Sequence, residues 1–163
     1  MKTGLILIVW IALQCQAHSA YAAAFSPGDD AGAIRLNKQL LQLTRDVSEG
    51  RRSAGQQSWE CLSETVSDLT TPYDVLEEII DLVDISLAMQ TGSDEAVVNA
   101  ELAILLNYGH KAVDTARKGI NLNAGYCRQD MFVNQKASQA FRIFSEMDEI
   151  IDSLQRKLGT AKR

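Results

Sequence analysis

The sequence predicts an all-α protein, and three observations lead to this expectation. No stretch alternates apolar and polar residues between hairpin turns, which is the pattern of half-buried strands. The chain contains only two prolines, Pro27 and Pro72, so few positions interrupt a helix. Apolar residues instead recur at helical spacing through most of the chain. Four long helices and one short helix, joined by short loops, make a single-domain up-and-down bundle the expected architecture.

The first 24 residues have the features of an export signal. Lys2 supplies a positive charge, and a nine-residue apolar run follows at 5–13. That run is too short to span a bilayer, which takes about 20 residues. Alanines at 20 and 22–24 offer cleavage positions for a signal peptidase. We therefore expect residues 1–24 to be a cleaved signal peptide, and the mature chain to reach the periplasm or the extracellular space.

The first half of the mature chain predicts two helices and an interruption. A turn at 26–30 precedes a first helix over 31–47, where leucines recur at helical spacing. Gly50 and Gly55 flank a polar segment that predicts a loop. A short helix follows, with Trp59 and Leu69 near its ends. Thr71 and Pro72 are typical of a new helix start, an N-cap followed by proline at the first helical position.

Three longer helices complete the predicted bundle. The third covers 72–90 and divides cleanly into an apolar half and an acidic half. The fourth continues from 94 to about 118, and its apolar segment at 102–106 indicates a central position. Asn and Gly at 119–126 predict a loop. The last helix covers about 130–158, so the bundle domain is expected at 25–158 and a flexible tail at 159–163.

Cleavage of the signal changes the cysteine count. Cys15 leaves with the signal, and Cys61 and Cys127 remain as a pair. A lipoprotein signal at Cys15 is disfavoured, because Gln14 stands where a lipobox has a small residue. Two cysteines in an oxidising compartment most simply pair with each other, whereas a redox-active pair favours C-x-x-C spacing. We therefore predict a structural disulfide between Cys61 and Cys127.

Acidic residues are concentrated in the middle of the chain. From 53 to 110 there are eleven Asp and Glu and no Lys or Arg. Five of these acids form the polar half of the third predicted helix: Asp74, Glu77, Glu78, Asp81 and Asp84. They either pair with the basic faces of the first and last helices or present an interaction surface to a cationic partner. Like charges at i,i+4 are mildly destabilising, and a nearby cation would relieve them.

Residue types that carry catalysis or bind metals are scarce. His110 is the only histidine after the signal, and no haem-attachment or metalloprotease motif occurs, so no metal or cofactor is expected. One weak polar cluster consists of Asn107, His110 and Asp114 on one helix face. A hydrogen bond between His110 and Asp114 would resemble a hydrolase base held by its carboxylate. No nucleophile is identifiable beside it.

These observations favour a binding protein over an enzyme. The net charge of −5 and the absence of a dense basic run disfavour nucleic acid as a partner. No apolar run of the mature chain is long enough to span a membrane. We expect an exported helical binding or accessory protein that acts through protein–protein contacts, with the acidic helix face as its candidate surface. Two alternatives stay open: a small hydrolase that uses His110 with a carboxylate, and a carrier of haem or another ligand inside the bundle.

Overall fold

The computed structural model of the chain describes residues 25–89 and 93–161, and within these ranges it contains four α-helices and no strand. The helices are α1 (Ala31–Ser53), α2 (Gln56–Met89), α3 (Ser93–Tyr126) and α4 (Met131–Ala161). Each helix packs on the next in sequence, and α4 also packs on α1. The expected all-α bundle is therefore confirmed. The segment expected to be a signal peptide, residues 1–24, lies outside the described residues.

The separate short helix is not confirmed, because it is continuous with the helix expected at 72–90. Both belong to α2, which runs through Pro72. Pro72 lacks the N–H that would bind the carbonyl of Asp68, a loss that ordinarily breaks a helix. Pro72 is buried, however, and so are Leu69 and Val75 on either side of it. Packing on both sides of the proline outweighs the lost hydrogen bond.

The segments expected to be loops at 50–55 and 119–126 are also largely helical. α1 continues to Ser53, and α3 continues to Tyr126. Their glycines mark close contacts between helices, since a side chain at Gly50 would collide with Phe132 and one at Gly119 would collide with Asp68. The last helix likewise extends to residue 161, so residues 159–161 of the expected tail are helical.

The core takes large side chains from all four helices, and each buried Leu, Ile or Phe contributes roughly 1.5–3 kcal/mol. Leu102 and Leu106 are fully buried, whereas Ile104 between them is 71% exposed. The apolar segment at 102–106 therefore contributes both to the core and to the exposed surface of the bundle. The largest side chains with almost no exposure are Leu36, Leu40, Leu62, Leu69, Leu76, Ile79, Ile120, Phe144, Met147 and Ile151.

The predicted disulfide between Cys61 and Cys127 is present, and both cysteines are buried. It joins the first turns of α2 to the segment between α3 and α4. In that segment Asp130 caps α4, because its carboxylate accepts hydrogen bonds from the N–H groups of Phe132 and Val133. The bridge therefore fixes the end of the bundle at which α2, α3 and α4 meet.

Ion pairs between different helices all involve α4 in the described part of the chain. Arg35 of α1 lies 2.8 Å from Glu146, and Lys136 lies 2.7 Å from Asp46 of α1. Lys136 is only 8% exposed, so without Asp46 its positive charge would be buried and unpaired. The bond from Lys136 is the main reason that the pKa of Asp46 falls below its usual value.

Removal of the disulfide should destabilise the bundle. The bridge joins residues separated by 66 positions, and on the chain-entropy model such a loop contributes about 4 kcal/mol. We expect urea unfolding of the wild type to shift to a clearly lower midpoint when a reductant is added. The double variant Cys61→Ser, Cys127→Ser is the control, because its midpoint should be low and insensitive to reductant. Equal midpoints for the wild type with and without reductant would contradict the stabilising role.

Candidate functional site

The five acids of α2 lie on the outer surface of the bundle, and all five are exposed: Asp74, Glu77, Glu78, Asp81 and Asp84. None of them forms an ion pair with another described residue. The expected alternative, pairing with the bases of the first and last helices, is not observed there. Arg35 of α1 pairs instead with Glu146 of α4, and Lys136 of α4 pairs with Asp46 of α1. We refer to these five residues as the acidic face.

An apolar stripe, which the sequence analysis missed, runs along the outside of α3. It consists of five side chains that are 50–75% exposed: Val97, Ile104, Tyr108, Leu122 and Tyr126. Their spacing of four, seven or fourteen residues places them on one side of a helix. Glu101, Lys111 and Thr115 lie on the same side of α3, so the sequence shows this stripe less clearly than the core. Only the packing of α3 shows that it faces outward.

At Tyr108 the apolar stripe adjoins α2. Tyr108 shares a cleft with Thr71 of α2, and the Gln57 amide contacts the carbonyl of Tyr126 at 3.5 Å. At the other end, the Ser86 hydroxyl lies 3.1 Å from Oδ1 of Asn99. These contacts set an antiparallel register in which the acidic face lies at the level of Ile104 and Tyr108, while Leu122 and Tyr126 lie at the level of the first turns of α2.

A cleft of about 300 Å³ opens between α2 and α3 next to the stripe. Asp68 is its most distinctive group. The carboxylate lies against Gly119, where a methyl group would displace it, and it accepts a 3.0 Å hydrogen bond from the side-chain amide of Asn123. The cleft is lined by Ser67, Asp68 and Thr71 from α2 and by Tyr108, Lys111, Ala112, Thr115 and Ala116 from α3.

The surroundings of Asp68 disfavour its negative charge. Burial, reinforced by repulsion from Glu64, raises the pKa of Asp68 to about 6, and the hydrogen bond from Asn123 only partly opposes this. Lys111 lines the same cleft but forms no ion pair with Asp68. The backbone carbonyl of Asp68 also lacks its usual helical donor, because that donor would be the N–H of Pro72. Asp68 therefore combines a half-buried carboxylate, which accepts a hydrogen bond from Asn123, with a backbone carbonyl that lacks its helical donor.

The polar cluster expected around His110 is arranged differently. The imidazole does not bind Asp114; its Nδ1 lies 2.9 Å from Asp148 and its Nε2 lies 3.2 Å from Asp152, both on α4. Asp114 instead pairs with Lys118 one turn further along α3. The prediction of a hydrogen bond between His110 and Asp114 is therefore wrong. Packing of α3 against α4 brings two other carboxylates to the imidazole instead.

His110 therefore serves as a link between helices. Asp148 also binds Arg117 at 2.7 Å, and the side-chain amide of Asn107 hydrogen-bonds the carbonyl of Ala103 and accepts from Gln155. Among the described residues no hydroxyl or thiol group hydrogen-bonds to His110. Both ring nitrogens face carboxylates, so neither is left to coordinate a haem iron. In this structure His110 connects α3 to α4 through Asp148 and Asp152.

Metal-binding clusters and membrane-spanning helices are absent from the described residues. No three or more His, Cys, Asp and Glu side chains are grouped so that they could hold a metal ion. None of the described helices is long and apolar enough to cross a membrane. Comparison with known proteins found no matching family model, curated protein or solved structure.

Replacement of Asp68 by asparagine should stabilise the protein at neutral pH. The pKa of Asp68 rises from 3.8 to about 6 on folding, so the ionised carboxylate costs free energy in the folded state above pH 6. We expect Asp68→Asn to add about 1 to 2 kcal/mol near pH 7.5, after allowance for solvent screening. The gain should shrink as the pH falls through 6, because the wild type becomes protonated as well, and it should nearly vanish around pH 4.

Urea unfolding at several pH values measures this gain. Asp74→Asn is the matched control, since Asp74 is an exposed acid of the same helix outside the cleft. A variant at Asp68 that gains no more stability than the one at Asp74 would show that the cleft does not penalise the charge.

Proposed function

We propose that this protein is an exported binding protein that engages a cationic protein partner through the outer face of α2 and α3. The observation that carries the proposal is the unpaired state of the acidic face. In the described part of the chain, acids of α1, α3 and α4 take part in ion pairs with nearby bases, whereas no acid of α2 does so. The charge of α2 is left available to an external partner.

The arrangement of the acidic face has an energetic cost in the isolated protein. Asp74 with Glu78 and Glu77 with Asp81 are like-charge pairs at i,i+4, and each such pair costs roughly 0.2–0.5 kcal/mol. A cationic partner would convert this repulsion into attraction. It would also bind faster, because a surface of one sign steers an oppositely charged protein toward it.

The apolar stripe supports a protein rather than a small ion as the partner. Exposed apolar side chains among polar ones occur at protein interfaces, which combine an apolar centre with a polar rim. Ile85 and Met89, which are 41% and 40% exposed, add apolar surface on α2. A basic amphipathic helix would place its apolar side on the stripe and its cations on the acidic face.

The disulfide supports the export part of the proposal. Disulfides persist in oxidising compartments and are rare in the cytosol, and the bridge between Cys61 and Cys127 is buried within the fold. The charge and the apolar run at the start of the chain are in keeping with this compartment.

Charge reversal on the acidic face should weaken binding of a cationic helix. We suggest a fluorescent amphipathic peptide of lysine and leucine as the probe and a glutamate–leucine peptide as its negative counterpart. The double variant Glu77→Lys, Asp81→Lys should lower the affinity for the lysine peptide at least tenfold at low ionic strength. The loss should be smaller at high ionic strength, because salt screens exposed charges.

The matched control is Glu49→Lys, Glu149→Lys, which changes the net charge equally at exposed positions on α1 and α4. This control should bind the lysine peptide nearly as well as the wild type does. Equal losses in the two double variants would show that binding follows net charge alone, and that outcome would overturn the acidic face as the binding surface. Circular dichroism and the urea midpoint establish that both variants remain folded.

A further inference from the structure

The Asp68 cleft lies within the proposed binding surface and not at a separate place. Tyr108 belongs both to the cleft lining and to the apolar stripe. Thr71, on the opposite wall, precedes Asp74 of the acidic face by one helical turn. A partner that covers the stripe and the acidic face would therefore also cover the mouth of the cleft.

We propose that the cleft receives the ammonium group of a lysine side chain from the partner, which binds to Asp68. This inference rests on the proposed function and deepens it by naming the chemistry of one contact. The cleft volume of about 300 Å³ is enough for a lysine side chain. Its walls of Ala112 and Ala116 suit the aliphatic stem, while the polar groups around Asp68 suit the charged end.

The lining of the cleft favours an ammonium group over a guanidinium group. One carboxylate oxygen of Asp68 already accepts from Asn123, and the carboxylate lies against Gly119. A two-oxygen edge for the planar fork of arginine is therefore not free. An ammonium group has three donors that point in different directions, and the hydroxyls of Thr71, Thr115 and Tyr108 provide further acceptors beside the carboxylate.

Among the described residues, no base of α2 or α3 pairs with Asp68. On α2, Glu64 adds a second negative charge near Asp68. On α3, Asn123 is neutral, and Lys111 lines the cleft but does not pair with Asp68. A lysine from a partner would supply the missing positive charge and would relieve the repulsion between Glu64 and Asp68.

The contact makes partner binding depend on pH. Only the ionised form of Asp68 attracts an ammonium group, so affinity should fall as the pH drops through about 6, the pKa of this carboxyl in the free protein. If binding requires the ionised form, each pH unit below that value costs up to about tenfold in affinity. We expect the dissociation constant of the lysine–leucine peptide to rise about tenfold from pH 7.5 to pH 5.

The decisive experiment measures this pH profile by fluorescence anisotropy for the wild type and for Asp68→Asn. The variant should bind the peptide several-fold more weakly at pH 7.5, and its affinity should change little down to pH 5. Asp74→Asn removes the same charge from the acidic face outside the cleft and should keep the pH dependence. His110→Gln should also keep it, because His110 lies on the side of α3 that faces α4.

A second measurement tests the cleft without any peptide. Butylammonium serves as a lysine side-chain probe and 1-butanol as its neutral counterpart, in NMR titrations of the labelled protein. Butylammonium should shift signals of Thr71, Tyr108 and Thr115 and lower the pKa of Asp68, and butanol should do neither. Gly119→Ala should abolish the response, because the added methyl group would displace the Asp68 carboxylate.

The outcomes separate this inference from the proposed function. Unchanged affinity and pH dependence in Asp68→Asn, together with loss of binding in Glu77→Lys, Asp81→Lys, would overturn the lysine contact and leave the binding surface intact. Loss in neither variant would overturn both. No response of the cleft signals to butylammonium would also overturn the lysine contact. Folding is not an obstacle, because Asp68→Asn is expected to stabilise the protein.

Discussion

The close packing of α2 against α3 is the constraint on which the rest of the structure depends. A side chain at position 119 would displace the Asp68 carboxylate, and the bridge between Cys61 and Cys127 fixes one end of this packing. This packing half-buries the Asp68 carboxyl and raises its pKa. It also brings Ile104 and Tyr108 of the apolar stripe to the level of the acidic face of α2. One helix contact thus creates the cleft and the surface around it.

The charged residues of the bundle fall into two groups, those in ion pairs between helices and the acids of α2. Ion pairs that hold helices together converge on α4, where Glu146 binds Arg35, Lys136 binds Asp46, and Asp148 binds Arg117. The acids of α2 take no part in these pairs in the described structure. α2 lies diagonally opposite α4 in the bundle, with α1 and α3 as its closest neighbours. The basic residues of α4 are therefore out of reach of the acidic face, and this segregation follows from the topology.

Much of the fold could be predicted from local patterns, but its interruptions could not. Glycine and proline normally indicate breaks, so Gly50 and Gly119 predict loops and Pro72 predicts a helix start. In the structure all three lie inside helices, because burial of Pro72 and close helix contacts at the two glycines outweigh the local preference. The same limit applies to His110, whose partners come from a helix distant in sequence. A local pattern contains no information about such neighbours.

The sequence by itself determined the helical class, the cysteine pair and the acidic polar half of the third predicted helix. These features depend on periodicity, composition and count, which are properties of the chain alone. Tertiary structure decided which apolar positions of α3 face outward, which carboxylates surround His110, and why Asp68 differs from the other acids of α2. Those properties arise where two helices meet, since burial and the proximity of charges exist only after the chain has packed.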